Sequence, residues 1–125
     1  MKSSKNSYYV ALAHSDKSVS DKLAGQLYEQ GIFIDSIFTE GIRTLGLLVS
    51  SAVEVLIIEA SLPVLSAQDI ILMASQKGIK TKFIIVTSPD QNIMLPPWIT
   101  SKYIVITSDK ILDRLSEIIP TRMSS

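Results

Sequence analysis

The sequence predicts a single α/β domain with a parallel β-sheet covered by helices on both faces. Its 125 residues, 46% of them hydrophobic and 19% charged, suffice for one packed core but not for two. Four apolar runs rich in Val and Ile have strand length and do not alternate with polar residues, which is typical of strands buried on both faces. Amphipathic stretches at helical spacing separate these runs, and such alternation of strand and helix predicts βαβ units.

Five strands are predicted. One of them, Ile32 to Phe38, is interrupted by Asp35 and Ser36, which is typical of an edge strand with one face towards water. The other four come from the continuous apolar runs, which are Tyr8 to Ala13, Val55 to Ile58, Phe83 to Val86 and Tyr103 to Ile106.

The first predicted helix follows the first strand. Ser18 or Ser20 is its candidate N-cap, and Gly31 stands where a glycine commonly follows a helix end. The apolar stripe of this helix consists of Val19, Leu23 and Leu27.

Further helices follow the second, third and fifth strands. The connection after the fourth strand, from Thr87 to Lys102, contains three prolines, which leave room for a loop or one to two turns only. A fourth helix is therefore expected to be shortened or missing. The predicted helices are Thr44 to Ser51, Ser66 to Gln76 with a stop at Gly78, and Asp109 to Ile119 with Asp109 as acidic cap candidate and Pro120 as terminator.

The strands and helices fill almost the whole chain, so we expect one domain over residues 1–125 with a folded core at 7–119. Pro120 is followed by five residues, 121–125, that are mostly small and polar. This composition predicts a frayed tail or a linker.

The charge balance limits the classes of partner. Lys plus Arg and Asp plus Glu number 12 each, so the formal net charge is zero. Attraction to the phosphates of nucleic acids or to anionic lipids is therefore not expected, and a direct nucleic-acid or membrane partner is not predicted. Zero net charge also removes the self-repulsion that opposes association, so a dimer is favoured slightly.

The predicted location is the cytoplasm, and no cofactor is predicted. The chain has no cysteine, which excludes disulfides, thiolate metal sites and a cysteine nucleophile. The first seven residues are polar and lack the apolar region of a signal peptide. No apolar run approaches the ~18 residues of a membrane span.

Polar side chains follow four of the predicted strands. In an open parallel α/β sheet, ligands bind at the carboxyl ends of the strands, near the point where the strand order reverses. The candidate site residues at this edge are His14, Ser15 and Asp16 after the first strand, Glu59 to Pro63 after the third, Thr87 and Ser88 after the fourth, and Ile106 to Ser108 after the fifth.

At these positions the chain resembles the response-regulator receiver (CheY-like) family. The segment from Leu56 to Pro63 looks like the family's apolar strand, acceptor carboxylate and apolar-Pro turn. The segment from Phe83 to Ser88 looks like its fourth strand, which ends in a hydroxyl residue and a small residue. Tyr103 falls on the aromatic residue that rotates on activation. The resemblance implies a flavodoxin-like (βα)5 three-layer fold with strand order 2-1-3-4-5.

The chain departs from the family where phosphoryl chemistry takes place. Receivers transfer a phosphoryl group to an aspartate with a Mg²⁺ held by an acidic pair, and a lysine contacts the transferred group. Here Glu59 stands at the acceptor position, His14 and Ser15 replace the acidic pair, and Ile106 replaces the lysine. Thr107 stands where the family has proline. Of the usual set, only Thr87 and Tyr103 remain.

Loss of these groups removes the physical basis of phosphoryl transfer. Mg²⁺ prefers carboxylate oxygens, and a neutral imidazole and a hydroxyl supply no negative charge beside Glu59. Transfer also depends on positioning and on cationic charge stabilisation, which the metal and the lysine provide. His14, Ser15, Glu59, Thr87 and Ile106 are therefore predicted to form a vestigial phosphorylation pocket with no catalytic or metal-binding residue. Asp16 could restore acidity if the turn shifted by one residue.

The resemblance and the departures together predict a phosphorylation-independent pseudo-receiver. It would be a two-component signalling module rather than an enzyme, and would act by self-association or by binding a signalling or output protein. One alternative is an atypical receiver regulated by a small ligand or by pH. Another is a receiver that is still phosphorylated at a non-standard residue, Glu59 or a neighbouring serine.

The roles of Glu59 and His14 stay open at this point. Glu59 is either a remnant carboxylate at a loop rim or a mimic of the phosphorylated side chain that reaches Thr87. His14 is a hydrogen-bonded rim residue, a pH-sensitive partner of Glu59, or a general base for Ser15.

Pro97, Trp98 and Tyr103 form the candidate partner surface. A diproline is stiff and Trp is enriched in binding hot spots, so the Pro96-Pro97-Trp98 segment is suited to partner recognition. In the alternative interpretation, Trp98 covers the core under the shortened connection.

Two other functions have little support in the sequence. A serine hydrolase of the α/β type would require a G-x-S-x-G elbow, which is absent. A flavin or nucleotide would require a phosphate-binding loop at a helix N-terminus, and the segment from His14 to Ser18 contains no glycine.

Overall fold

The computed structural model describes residues 9–118, with side chains up to residue 115. Five parallel strands form one sheet in the order β2-β1-β3-β4-β5, so the predicted flavodoxin-like fold is confirmed. The strands are β1 (Val10–Ala13), β2 (Ser36–Phe38), β3 (Val55–Glu59), β4 (Lys82–Thr87) and β5 (Tyr103–Thr107). The helices are α1 (Lys17–Glu29), α2 (Gly41–Ser50), α3 (Ala67–Lys77) and α4 (Ile111–Ile118).

The core lies in two layers, one on each face of the sheet. Successive side chains of a strand point to opposite faces, so Leu12 and Ile57 pack under α1 and α4, while Leu56 and Ile58 pack under α2 and α3. Since β1, β3 and β4 are buried on both faces, their sequences are nearly continuous apolar runs.

β2 is shorter than predicted because the chain before it makes other contacts. Asp35 bonds to Val10 twice, through its backbone N–H to the Val10 carbonyl and through its carboxylate, which accepts the Val10 N–H, both at 2.8 Å. Ile32 is fully buried, although it lies before the strand. Only Ser36–Phe38 therefore pairs with β1 as a regular strand.

The predicted cap of α1 was wrong. The helix begins at Lys17, and Asp16 caps it by accepting the N–H groups of Ser18 at 3.0 Å and Val19 at 3.4 Å. Ser20 is buried in the first turn, where its hydroxyl donates to the Lys17 carbonyl at 3.0 Å. Asp is as good an N-cap as Ser, so the cap is set by where the preceding loop ends. At the other end, Gly31 adopts the predicted positive φ of 87°.

α2 begins three residues before the predicted start at Thr44. The Glu40 carboxylate accepts the N–H groups of Ile42 and Arg43 and caps the helix. Gly41 is the first helical residue, and its N–H donates to the Pro63 carbonyl at 3.1 Å. A Cβ at this position would overlap the Leu65 carbonyl oxygen. Close approach of the chain after β3 therefore requires a glycine here.

α3 has the predicted limits within one residue. Ser66 and Asp69 form a reciprocal capping box at its N-terminus. Gly78 follows its last turn with a φ of 72°, as predicted for a glycine after a helix end.

The start of α4 differs from the prediction. A single 3₁₀ turn, Ser108–Lys110, comes between β5 and the helix, so Asp109 is not the helix cap. A hydrogen bond from the Thr107 side chain instead lowers the pKa of Asp109. Tyr8, Ile119, Pro120 and the predicted tail at 120–125 lie outside the described residues.

The connection between β4 and β5 contains no helix in the described structure, as expected from its prolines. Ile93, Leu95 and Ile99 pack against the core under α2 and α3, where a helix would otherwise lie. The Gln68 side chain donates to the Met94 carbonyl at 2.7 Å and fixes the segment to α3.

Candidate functional site

Two adjoining cavities open at the carboxyl edge of the sheet. The larger, of about 490 Å³, lies between α1 and the start of α4, and the smaller, of about 400 Å³, lies above β3 and β4. His14, Glu59, Val86 and Ser108 line both cavities. Residues that follow four different strands therefore meet at one site, as predicted for an open parallel sheet.

Glu59 is the last residue of β3 and is bonded to the loop after β1. Its Oε1 accepts the backbone N–H of Ser15 at 2.8 Å. In the described structure no hydrogen bond joins Glu59 to Thr87, although both side chains line the smaller cavity. The carboxylate therefore holds the β1–α1 loop rather than the hydroxyl at the end of β4.

His14 is neutral in this arrangement. Its Nδ1 lies 3.8 Å from Glu59 Oε1 and accepts the backbone N–H of Asp16 at 3.1 Å. A ring nitrogen that accepts a hydrogen bond carries no proton, so the imidazole proton is on Nε2. The contact between His14 and Glu59 is accordingly not an ion pair. The two side chains are 18% and 21% exposed.

Asp16 does not restore acidity to the site. Its carboxylate caps α1 and accepts the Ser18 hydroxyl at 2.7 Å, and it lines neither cavity. The hydrogen bond from the Ser18 side chain, followed by that from the Val19 N–H, lowers the pKa of Asp16.

Thr87, the last residue of β4, and Ser88, which follows it, line the smaller cavity. Thr87 is buried, and Ser88 donates its N–H to the Gln91 side-chain oxygen at 3.1 Å. Ser61 lines the same cavity. This part of the site is therefore lined by hydroxyl and amide groups, with Glu59 as its carboxylate.

Ile106 places an apolar side chain where the resemblance implies a lysine. It is 2% exposed, pairs with Val86 across the sheet and packs in the core under α1 and α4. The cation that lines the larger cavity is Lys22, on α1.

The donor set is poor for Mg²⁺. This ion binds oxygen ligands in octahedral geometry, usually one or two carboxylates together with several waters. Glu59 is the carboxylate at the centre of the site, and its Oε1 already accepts the Ser15 N–H. Among the side chains described, which run from residue 9 to residue 115, no three His, Asp or Glu groups converge to hold a metal ion.

The larger cavity also contains residues that the sequence analysis did not select. Lys22 and Gln26 lie one helical turn apart on α1, beside its apolar stripe, whereas Asp109 lies in the 3₁₀ turn before α4 and Asp113 in the first turn of α4. The sequence could have indicated Lys22 and Gln26 as polar residues at the border of the apolar stripe that contains Leu23. Their proximity to Asp109 depends on the spacing between the two helices.

The predicted partner surface is partly exposed. Trp98 is 51% exposed and Tyr103 40% exposed, and Pro97 is exposed as well. Tyr103 and Val105 pair with Phe83 and Ile85, so their side chains point to the sheet face on which the fourth helix is missing. Leu95 and Ile99, from the same connection, pack against the core, whereas about half of the Trp98 side chain is exposed.

Comparison with solved structures gives the fold. The receiver domain of Francisella response regulator 1452 matches with a TM-score of 0.69 and 20% identity, covering 89% of this chain and 95% of that one. A LuxR-family DNA-binding response regulator from Staphylococcus aureus matches with a TM-score of 0.74 and 16% identity, covering 90% and 95%. The signal receiver domain of an HD domain-containing protein from Pseudomonas fluorescens Pf-5 matches with a TM-score of 0.68 and 18% identity, covering 96% and 100%.

The chain therefore has the fold of response-regulator receiver domains. No family model matches the sequence, and no curated protein matches it. Among the described helices, none has the length and apolar character needed to cross a membrane.

Proposed function

We propose that this chain is a phosphorylation-independent pseudo-receiver, a signalling module that works by binding a protein partner. The observation that carries the proposal is the hydrogen bond from the Ser15 N–H to the Glu59 carboxylate. It joins two positions at which a phosphorylated receiver would hold its metal and its acceptor aspartate, and it engages one oxygen of the carboxylate at the centre of the site.

The chemistry of the surrounding residues supports the same proposal. Phosphoryl transfer by positioned groups requires cations that stabilise the charge on the transferred oxygens. The position of the expected lysine is held by Ile106, which is buried among apolar side chains. A neutral His14 and the backbone of Ser15 provide neither a metal ligand set nor a compensating charge.

The surface at the β4–β5 connection supports a role in binding. Exposed Trp98 and Pro97 lie on a segment that the diproline stiffens, and Tyr103 is exposed on the neighbouring strand. Trp and Tyr bury large areas at a low cost in side-chain entropy, so they are common anchors in interfaces. The proposed partner is a second copy of the chain or a signalling protein of the cytoplasm, and neither nucleic acid nor membrane is part of the proposal.

A Mg²⁺ titration followed by amide NMR tests the loss of the phosphorylation site. We expect no saturable shift at Ser15, Glu59 or Thr87 in the wild-type chain. A variant with His14→Asp, Ser15→Asp and Glu59→Asp regains the carboxylates and should show saturable shifts at the same edge. Saturable Mg²⁺ binding by the wild-type chain at these residues would contradict the proposal.

A further inference from the structure

The larger cavity has the size and lining of a small-molecule site. Its volume of about 490 Å³ falls within the range of roughly 300–1,000 Å³ that ligand pockets occupy. Buried apolar side chains from both the sheet and the helices form much of its lining. They are Leu12, Leu23, Val86 and Ile111.

Two polar groups of the cavity, Glu59 and His14, stand together at its sheet edge. Glu59 Oε1 accepts the Ser15 N–H, which leaves Oε2 as an acceptor for a ligand. Because His14 Nδ1 accepts the Asp16 N–H, the ring's donor is Nε2–H. Apolar side chains beside these two polar groups favour a ligand that has an apolar body and one polar head.

The net charge of the cavity lining determines which charge is favoured on the polar head of the ligand. Glu59, Asp109 and Asp113 are acidic, and Lys22 is basic. Hydrogen bonding from the Thr107 side chain lowers the pKa of Asp109, so this carboxyl is ionised at neutral pH. Even if Glu59 and Asp109 alone are counted against Lys22, the lining carries a net negative charge. A cationic head is therefore favoured over an anionic one.

We propose that the cavity between α1 and α4 binds a small organic cation, with its apolar body against Leu23 and Ile111 and its cationic nitrogen at Glu59. The site lies apart from the proposed partner surface, so it goes beyond the proposed function and does not depend on it. Binding there would give the domain a chemical input at the edge of the sheet where receivers take up phosphoryl groups.

Tryptamine is a suitable probe, because it joins an indole body to a primary ammonium group. Amide NMR titration should show saturable shifts at residues that line the cavity, with a Kd of about 1 mM for a ligand of this size. Tryptophol and indole-3-propionate carry the same indole with a neutral and an anionic head. We expect binding to weaken in the order ammonium, alcohol, carboxylate.

Two variants locate the site, and a third tests the charge. Val19→Trp places a large side chain at the mouth of the cavity, whereas Val49→Trp makes the same change on α2, with the two valines 43% and 58% exposed. Val19→Trp should weaken tryptamine binding at least about tenfold and Val49→Trp less than about twofold. Glu59→Gln should weaken tryptamine about fivefold and leave tryptophol unchanged.

Three results would overturn the proposal. They are the absence of saturable shifts up to the solubility limit of tryptamine, equal effects of Val19→Trp and Val49→Trp, and tighter binding of indole-3-propionate than of tryptamine. Circular dichroism of each variant verifies that it is folded.

Discussion

Glu59 Oε1 accepts the backbone N–H of Ser15 at 2.8 Å, which joins the end of β3 to the loop after β1. The two residues are 44 positions apart in the chain, so the bond is a tertiary contact that fixes the geometry of the site. The Glu59 carboxylate is thereby bonded to the loop that carries the acidic pair in the receivers that this chain resembles.

Removal of this acceptor should loosen the loop. In Glu59→Ala, the Ser15 N–H loses its partner, and its hydrogen exchange should become about tenfold faster because one charged hydrogen bond is lost. Glu59→Gln keeps an oxygen acceptor and should stay within about threefold of wild type. Equal protection of Ser15 in the alanine variant and the wild type would show that the bond does not hold the loop.

The same pair of variants separates two interpretations of Glu59. Because Glu59 bonds to Ser15 rather than to Thr87, we expect Glu59→Gln to bind the protein partner as strongly as wild type. Affinity capture with the tagged chain from lysate of the cells that naturally produce it measures this binding, with the recovered partner quantified by mass spectrometry. A clear loss of partner in Glu59→Gln would instead support a built-in mimic of the phosphorylated side chain.

Restoring a lysine at position 106 should destabilise the fold. Ile106 is packed among apolar side chains, and an unpaired charge buried there costs about 3 kcal/mol or more of unfolding free energy. The neighbouring Val105 is exposed on the same strand, so Val105→Lys should change stability by less than about 0.5 kcal/mol. Urea denaturation of both variants measures this difference in stability. Similar urea concentrations at half unfolding would mean that a side chain at position 106 can reach solvent.

The glycines of α2 should respond in opposite directions to alanine. Gly41→Ala places a Cβ against the Leu65 carbonyl, and overpacking of this kind costs about 1–3 kcal/mol. Gly46 lies in the same helix with nothing near the position of a Cβ, so Gly46→Ala should stabilise the protein by up to about 1 kcal/mol. Thermal unfolding of the two variants shows whether each substitution raises or lowers the Tm. A higher Tm for Gly41→Ala would contradict the close contact between position 41 and the Leu65 carbonyl.

The Asp16 cap should make α1 sensitive to acid. Hydrogen bonds, chiefly that from the Ser18 side chain, lower the pKa of Asp16 in the folded protein below the ordinary value for aspartate. Stability from this group is therefore present above the unfolded pKa and is lost as the pH falls through the folded pKa. Asp16→Ala should lower the Tm at neutral pH, with the difference from wild type shrinking in acid.

Asp90→Ala is the matched control for the cap, because Asp90 is exposed in the β4–β5 connection. It should leave the Tm unchanged at neutral pH and in acid. A gap between wild type and Asp16→Ala that stayed constant down to the lowest pH would rule out the carboxylate as its source.

Partner binding should depend on Trp98. Truncation of a central aromatic anchor commonly costs more than about 1 kcal/mol of binding, so Trp98→Ala should reduce captured partner at least about fivefold. Tyr28 is an exposed aromatic residue on α1 and packs edge to face with Phe33 at a centroid distance of 6.4 Å. Tyr28→Ala is the control, and equal losses in the two variants would place the interface elsewhere.

Much of the fold could be predicted from the sequence because β1, β3 and β4 are buried on both faces. Their apolar runs predict the central strands directly, and the glycines at positions 31 and 78 predict where two helices end. Helix starts were harder to predict. Asp16 and Ser18 are both good cap residues, and the sequence alone does not distinguish them; in the structure Asp16 is the cap.

The site could be predicted in part for the same reason. The carboxyl ends of parallel strands meet at one edge, so His14, Glu59 and Thr87 were expected near one another and lie together. Which atom bonds to which could not be predicted, because it depends on side-chain rotation within the folded loop. The cavity that includes Lys22 and Asp109 depends on how α1 and α4 sit on the sheet.

Intact mass spectrometry after incubation with acetyl phosphate, with and without Mg²⁺, shows whether the chain can be phosphorylated. We expect no gain of a phosphoryl group under either condition, because the pocket lacks the metal ligands and the lysine that transfer requires. A Mg²⁺-dependent gain of one phosphoryl group would contradict the proposed phosphorylation independence and would identify Glu59 or a neighbouring serine as the first acceptor to examine.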